Sequence, residues 1–130
     1  MEPPSVDIKD LLEDESSLGL TFQTNLFISS EPPEPNDCVT IFDTPGWSDD
    51  MALDKNNIEM PSVQILVRND SYVDGWSMIS GIKDFLHGKS GETVNGAYYM
   101  SMLSAGSPFS MGKDDRNRFH FVWNVDMKRR

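Results

Sequence analysis

The chain has 130 residues, of which 38% are hydrophobic and 10% aromatic, a length that suits one domain with its own core. The formal net charge of −10 argues against a nucleic-acid-binding surface, which needs a basic face, and favours association with basic partners. No apolar run approaches the ~18 residues of a membrane-spanning helix, the acidic N-terminus does not resemble a signal peptide, and the single cysteine, Cys38, excludes an intrachain disulfide.

The first third of the chain predicts one helix and two short strands. Residues 1–6 contain two consecutive prolines and are predicted to be a disordered lead-in to a single domain that spans residues 7–130. The predicted elements that follow are a helix capped by Ser5 or Asp7, a strand over Thr21–Ser29, a proline-rich loop over 29–37 and a strand over Val39–Asp43. The turn signal Thr44-Pro45-Gly46 ends the second strand.

The middle of the chain begins with a long polar segment from Trp47 to Pro61. It shows no clear periodicity, so we expect a loop, and loops of this length are usually functional or disordered. The next segment, Ser62–Gly88, predicts a strand, a turn and a helix. Its strand alternates apolar and polar residues, Ser71 can cap the helix, and apolar residues from Tyr72 to Leu86, Trp76 among them, recur at helical spacing.

The last third predicts two strands joined by a second loop. The strands are Ala97–Ser104 and Arg118–Met127, and the loop is Gly106–Asp115, with Phe109 and Met111 at its tip. The predicted order of elements is α-β-β-β-α-β-β. This order favours an α+β fold with a mixed, mostly antiparallel sheet of about five strands and two helices packed on one face.

Two short motifs match parts of nucleotide-binding loops but lack the required context. Asp43–Gly46 is DTPG and Gly88–Ser90 is GKS. A phosphate-binding loop needs a glycine five positions before its final Gly-Lys-Ser, and Lys83 stands there, inside a predicted helix. We interpret the two motifs as a strand-ending turn and a helix cap.

The remaining polar residues also lack a catalytic or metal-binding pattern. His87 and His120 have no triad or metal-ligand spacing around them, and no GxSxG motif occurs. Asp49, Asp50 and Asp54 lack the spacing of a calcium-binding loop. We therefore predict a protein that is not an enzyme and has no cofactor and no metal.

Large apolar residues in the two predicted loops have no periodic reason to be buried. Aromatic residues and methionine are enriched at protein interfaces, so these residues are predicted to contact a partner. They are Trp47, Met51, Leu53, Phe109 and Met111. The alternative is that they fold back as a satellite of the core.

Five segments, in this order along the chain, carry a resemblance to a known family. They are NLFIS (25–29), DCVTIFDTPG (37–46), PSVQILVRNDSYVDGW (61–76), IKDFLHG (82–88) and ETVNGAYYM (92–100). The sequence resembles a family of small tailed-bacteriophage proteins, minor capsid proteins or tail terminators, over roughly residues 7–125. The resemblance implies a structural virion protein, one subunit of a homo-hexameric ring that caps the tail tube and joins the tail to the head or neck.

The resemblance also implies partners and a location. The implied partners are further copies of the chain, the major tail tube protein and a neck or head-completion protein, with no membrane and with DNA only passing through the lumen. The implied location is the tail–neck junction of the virion, after assembly in the host cytoplasm.

Within such a ring, the charges of the chain predict two further roles. The basic end, Lys128, Arg129 and Arg130, is predicted to meet the acidic half of a neighbouring subunit. Four acidic residues are predicted to face the lumen, where they would repel passing DNA: Asp43, Asp49, Asp50 and Asp54. The alternatives are a head-completion or connector subunit, an acidic monomeric adaptor and, third, an enzyme with a concave site.

Overall fold

The computed structural model describes the backbone of residues 1–51 and 57–130 and the side chains of residues 1–47 and 58–130. These residues form, in chain order, α1 (Pro4–Asp14), a 3-10 helix (Ser16–Leu18), β1 (Leu26–Ile28), β2 (Cys38–Met51), β3 (Asn57–Asn69), α2 (Tyr72–Leu86), β4 (Glu92–Val94), β5 (Ala97–Ser104), β6 (Phe109–Lys113) and β7 (Phe119–Arg129).

The strands form one mixed sheet in the order β1-β2-β3-β7-β5-β4, with β6 also paired to β7. Only the β1–β2 pair is parallel among the described strands. Strands β5 and β6 pair with successive stretches of β7, so together they act as one interrupted strand along its edge. The prediction of an α+β fold with a mostly antiparallel sheet is confirmed, with seven strands in place of about five.

Both helices pack on the same face of the sheet. Their buried side chains and the odd-numbered positions of β2, β3 and β7 form one hydrophobic core. Each fully buried Val, Leu or Ile stabilises the fold by roughly 1.5–3 kcal/mol relative to an exposed one. Burial on this face of the sheet therefore provides most of the hydrophobic stabilisation. The core includes Ile8, Leu12, Ile41, Val63, Ile65, Val67, Ile79, Ile82, Leu86, Phe121, Trp123 and Val125.

Helix α2 forms where its sequence pattern predicts it. The Ser71 hydroxyl accepts a hydrogen bond from the Asp74 N–H at 3.3 Å, which confirms the predicted cap. Trp76 is 42% exposed, so its prediction as a core residue is wrong. It lies at the margin of the apolar stripe and packs edge-on against Phe121, with ring centroids 6.1 Å apart.

Helix α1 begins at Pro4 and so includes residues predicted to belong to the lead-in. Proline is favoured in the first turn because the N–H that it lacks would have no helical partner there. The helix is not capped by Ser5 or Asp7. Instead, the Asp43 carboxylate on β2 accepts hydrogen bonds from the Ser5 N–H (2.9 Å) and the Ser5 hydroxyl (2.6 Å), so the strand supplies the cap.

Much of the segment predicted as a loop, from Trp47 to Pro61, lies in β2 and β3, which pair antiparallel over their described residues. Pro45 fits there because this stretch of β2 extends beyond the residues that pair with β1. A bulge lies between Thr44 and Trp47, where Gly46 has φ +66°. A Cβ on Gly46 would lie 2.4 Å from the Met60 carbonyl oxygen, so only glycine fits. The expected strand end at this turn signal is therefore wrong.

The second predicted loop, Gly106–Asp115, contains strand β6. All five residues of β6 are exposed, so the strand has no buried face and is held by its pairing with β7. The prediction of a loop over this whole segment is therefore wrong. A register shift between Ser110 and Gly112 places Met111 in a bulge.

The turn between β6 and β7 is organised by Asp114. Partial desolvation would raise the pKa of this carboxyl, but hydrogen bonds from the Arg118 and Arg116 N–H groups, together with the Arg118 guanidinium at 2.9 Å, lower the pKa to about 2. The ionised form therefore stabilises the folded turn. We expect this contribution to be present above about pH 4 and lost as the pH falls toward 2.

This expectation can be checked by thermal unfolding of the wild-type chain and the Asp114→Asn variant between pH 5 and pH 2. The wild-type chain should have the higher midpoint at pH 5, and the two midpoints should converge near pH 2. The Asp115→Asn variant, which changes the exposed neighbouring residue, is the control. A difference between wild type and Asp114→Asn that does not vary with pH would contradict the role assigned to this carboxylate.

Candidate interaction surfaces

The face of the sheet opposite the helices carries exposed apolar side chains. The strand register places Trp47 beside Met60, Leu103 beside Asp126 and Phe109 beside Val122, all on this face. Trp47 is 68% exposed, and its indole N–H lies 3.4 Å from the Asp126 carboxylate. Leu103 and Phe109 are each about half exposed. Because large apolar groups share one sheet face that neither described α-helix covers, this face suits contact with another protein.

One end of the same face is covered by the proline-rich loop over residues 29–37. The Arg68 guanidinium, almost fully buried, contacts the Glu31 carboxylate at 3.1 Å and donates to the Asn36 carbonyl at 3.2 Å. His120 lies 3.1 Å from the same carboxylate, and Arg118 donates to the Pro33 carbonyl at 2.6 Å. These contacts give His120 a structural role in holding the loop.

Cys38 lies under this loop and is buried. Burial raises the pKa of its thiol to about 11, with the Arg68 guanidinium acting in the opposite direction. The thiol is therefore protonated at neutral pH and is a poor nucleophile.

An acidic groove lies on the outer side of α2, where the 3-10 helix packs beside it. The groove has a volume of about 530 Å³. Its floor is apolar and its rim carries carboxylates: Leu18, Met78, Gly81 and Phe85 form the floor, and Glu15, Asp74 and Asp84 lie at the rim. We call this feature the α2 groove. It is concave, acidic and partly apolar, a combination that favours a basic segment with an apolar side chain.

The basic end of the chain divides into two kinds of residue. Arg129 is buried and bonds within the subunit, at 2.7 Å to Glu59, 3.3 Å to Asp7 and 3.1 Å to the Tyr99 hydroxyl. Burial raises the pKa of Tyr99, and its hydrogen bond to Asp7 raises it further. Lys128 and Arg130 are exposed, and the Arg130 guanidinium lies 5.4 Å from the centre of the Tyr98 ring. Of the three residues of the basic end, Lys128 and Arg130 are therefore the exposed ones, and their role at an interface stays a prediction.

The other predicted interface and lumen residues divide by position. Met111 is 64% exposed, as expected for a contact residue. Asp43 is exposed, but its carboxylate caps α1. The side chains of Met51, Leu53, Asp49, Asp50 and Asp54 lie outside the described residues.

Neither sequence motif forms a nucleotide site. The DTPG segment lies within β2 at the bulge, and Gly88 follows the end of α2 with φ +88°. Across the residues whose side chains are described, no three His, Cys, Asp or Glu side chains are grouped so as to hold a metal ion. Neither of the two described α-helices combines the length and the apolar character needed to cross a bilayer.

Two features of these surfaces escaped prediction. Leu103 was part of an expected strand. Its exposure depends on a register shift near Met100, after which the odd-numbered positions of β5 no longer face the core. The α2 groove joins α2 to residues about 60 positions earlier in the chain. The spacing of Asp74 and Asp84 on one side of the helix was the only available signal.

Comparison with known proteins places the chain in a family. The family model described as "Bacteriophage tail terminator protein" matches residues 7–129. No curated protein matches the sequence. The fold is similar to that of a chain described as "Virion of native gene transfer agent (GTA) particle", with a TM-score of 0.70, 12% identity and coverage of 98% of this chain and 94% of that one. Because the family model spans nearly the whole chain, this protein belongs to the bacteriophage tail terminator family.

Proposed function

We propose that identical copies of this chain form a closed ring that caps the tail tube of a tailed bacteriophage and joins the tail to the head or neck. The observation that carries the proposal is the family match over residues 7–129, in a subunit whose described helices leave one apolar sheet face uncovered. Copies that bind head to tail through different surfaces generate a ring when the rotation closes. A hexamer, as the resemblance implies, is the expected size.

The proposed mechanism is geometric and involves no catalytic step. A closed ring at the end of a tube offers its outer side to a neck or head-completion protein and prevents further addition of the major tail tube protein. The apolar side chains Trp47, Phe109 and Met111 are proposed as contact residues, together with Lys128 and Arg130. The proposed location is the tail–neck junction of the virion, after assembly in the host cytoplasm.

The acidic character of the chain supports a further element of this proposal. Six copies that each carry a net charge of −10 would surround the lumen with negative charge. DNA would then pass without being held, because its phosphates are repelled. A ring structure with a basic or neutral lumen would refute this element alone.

The first experiment is the mass of the purified chain by multi-angle light scattering at low and moderate salt. A species near six times 14.7 kDa, seen as rings by electron microscopy, is the expected result. Added to the polymerising tail tube protein, the rings should shorten the tubes and lie at one end. Binding to the tube side without any effect on length would favour a connector subunit, and a monomer that binds no tube would favour the adaptor.

A further inference from the structure

We propose that the tip of the β6–β7 hairpin of one subunit binds in the α2 groove of the next copy of this chain. This contact would be the head-to-tail interface of the ring, so it rests on the proposed function. The contact has one polarity: the hairpin of one copy inserts, and the groove of the next copy receives it.

The hairpin tip carries two exposed cations and an exposed apolar side chain. Lys113 and Arg116 flank the turn, and both are exposed. Arg116 contacts Glu34 only at 3.4 Å between side chains that are 55% and 72% exposed, and such a pair contributes little to stability. Met111 projects from the β6 bulge and is 64% exposed. Of the two acids between these cations, Asp114 is paired with the Arg118 guanidinium at 2.9 Å and Asp115 is exposed. The tip thus offers two cations, one exposed carboxylate and one flexible apolar group.

The α2 groove has the complementary character. Its rim holds the exposed carboxylates of Asp74 and Asp84, and its floor includes Met78 and Phe85, which are only partly buried. The groove has a volume of about 530 Å³ and is open to solvent along the outer side of α2. Opposite charges around an apolar centre define partner, register and polarity together.

The two features also lie toward opposite sides of the subunit. Strand β6 pairs only with β7 among the described strands and lies at the β5 side of the sheet. The 3-10 helix that forms one wall of the groove packs on α1 and α2 and leads toward β1, at the other edge. A donor on one side and an acceptor toward the other are what a head-to-tail ring requires, whereas a two-fold dimer would place the same surface on both partners.

The experiment uses charge reversal on each side of the proposed contact. Asp84→Lys in the groove and Arg116→Glu on the hairpin should each raise the concentration needed for ring assembly about tenfold or more, because like charges then face each other. Asp70→Lys, at an exposed position outside the groove, is the matched control and should assemble like wild type. All four chains should have the same circular dichroism spectrum.

Mixing the two variants tests the contact directly. In an equimolar mixture, each variant has the side that the other one needs, so an alternating ring with an even number of subunits satisfies every contact. Light scattering should show rings in the mixture at concentrations where neither variant assembles alone. The chain that carries both Asp84→Lys and Arg116→Glu should likewise form rings at these concentrations, because opposite charges face each other again at every contact.

The outcomes separate this contact from the ring itself. Two outcomes would contradict the contact while leaving the proposed ring intact. In the first, wild type forms rings and Asp84→Lys assembles equally well. In the second, mixing the two variants does not restore ring assembly. If the wild-type chain forms no ring at any concentration or salt, the proposed self-assembly in solution fails, and this contact fails with it.

Discussion

The Asp7→Asn variant should lose about 3 kcal/mol of unfolding free energy, an expected effect that follows from the burial of Asp7. Its carboxylate is fully buried and accepts hydrogen bonds from Asn95 at 2.8 Å and from the Arg129 guanidinium at 3.3 Å, as well as from the Tyr99 hydroxyl. Removing one member of a buried ion pair costs about 3–5 kcal/mol because the other charge is left without compensation. Glu59 still contacts Arg129, so the low end of that range applies.

Urea unfolding of wild type and two variants measures this effect. Asp10→Asn is the matched control, because Asp10 lies one turn along the same helix, contacts the same Asn95 and is partly exposed. It should cost less than about 1 kcal/mol, as surface pairs do. Equal losses for the two variants would show that the buried cluster contributes no more than a surface contact.

Much of the fold was predictable because its signals are local. The unit of β3, Ser71 and α2 follows from alternation, a cap and helical periodicity within about 25 residues, and its structure agrees with these signals except at the exposed Trp76. The last strand, β7, was also predicted, because the alternation of Phe121, Trp123 and Val125 matches a half-buried strand.

The parts of the structure that were not predicted depend on contacts between residues far apart in the sequence. Pro45 and Gly46 indicated a turn, yet both lie within β2. The bulge accommodates Gly46, and Pro45 lies beyond the residues of β2 that pair with β1. The cap of α1 comes from Asp43, 38 residues after Ser5. Arg129 was predicted as an interface residue because it lies in a basic run. Its burial depends on Asp7, 122 positions earlier, which no local pattern shows.

The contact surfaces were predictable only as individual residues. Trp47 and Phe109 stood out as apolar residues in polar surroundings, and both are exposed. That they share one sheet face follows from the pairing of β2, β3, β7 and β6, which composition cannot give. The acidic groove likewise requires that residues of the 3-10 helix meet α2. The sequence therefore indicated which apolar residues are exposed, while the strand pairing decided which of them share one surface.

The second large effect is expected at Gly75, where α2 approaches the sheet. A Cβ at this position would lie 2.4 Å and 2.9 Å from the Cε2 and Cδ2 atoms of Phe121. The Phe121 ring is fully buried and is in contact with the rings of Tyr72 and Trp76, so it has little room to move. Overpacking of this kind costs about 1–3 kcal/mol, and the confinement of the Phe121 ring places Gly75→Ala at the upper end.

Helix propensity opposes this overpacking cost, because alanine is a better helix former than glycine. Replacing glycine by alanine within a helix gains about 1 kcal/mol, so Gly75→Ala should destabilise the chain by a net ~2 kcal/mol. Gly81 lies in the same helix, but there the nearest atom to a new Cβ would be Leu18 Cδ2 at 3.6 Å, an ordinary contact. Gly81→Ala should therefore stabilise the chain by about 0.5–1 kcal/mol. Urea unfolding of both variants should give changes of opposite sign, and a stabilised Gly75→Ala variant would show that α2 is free to move away from Phe121.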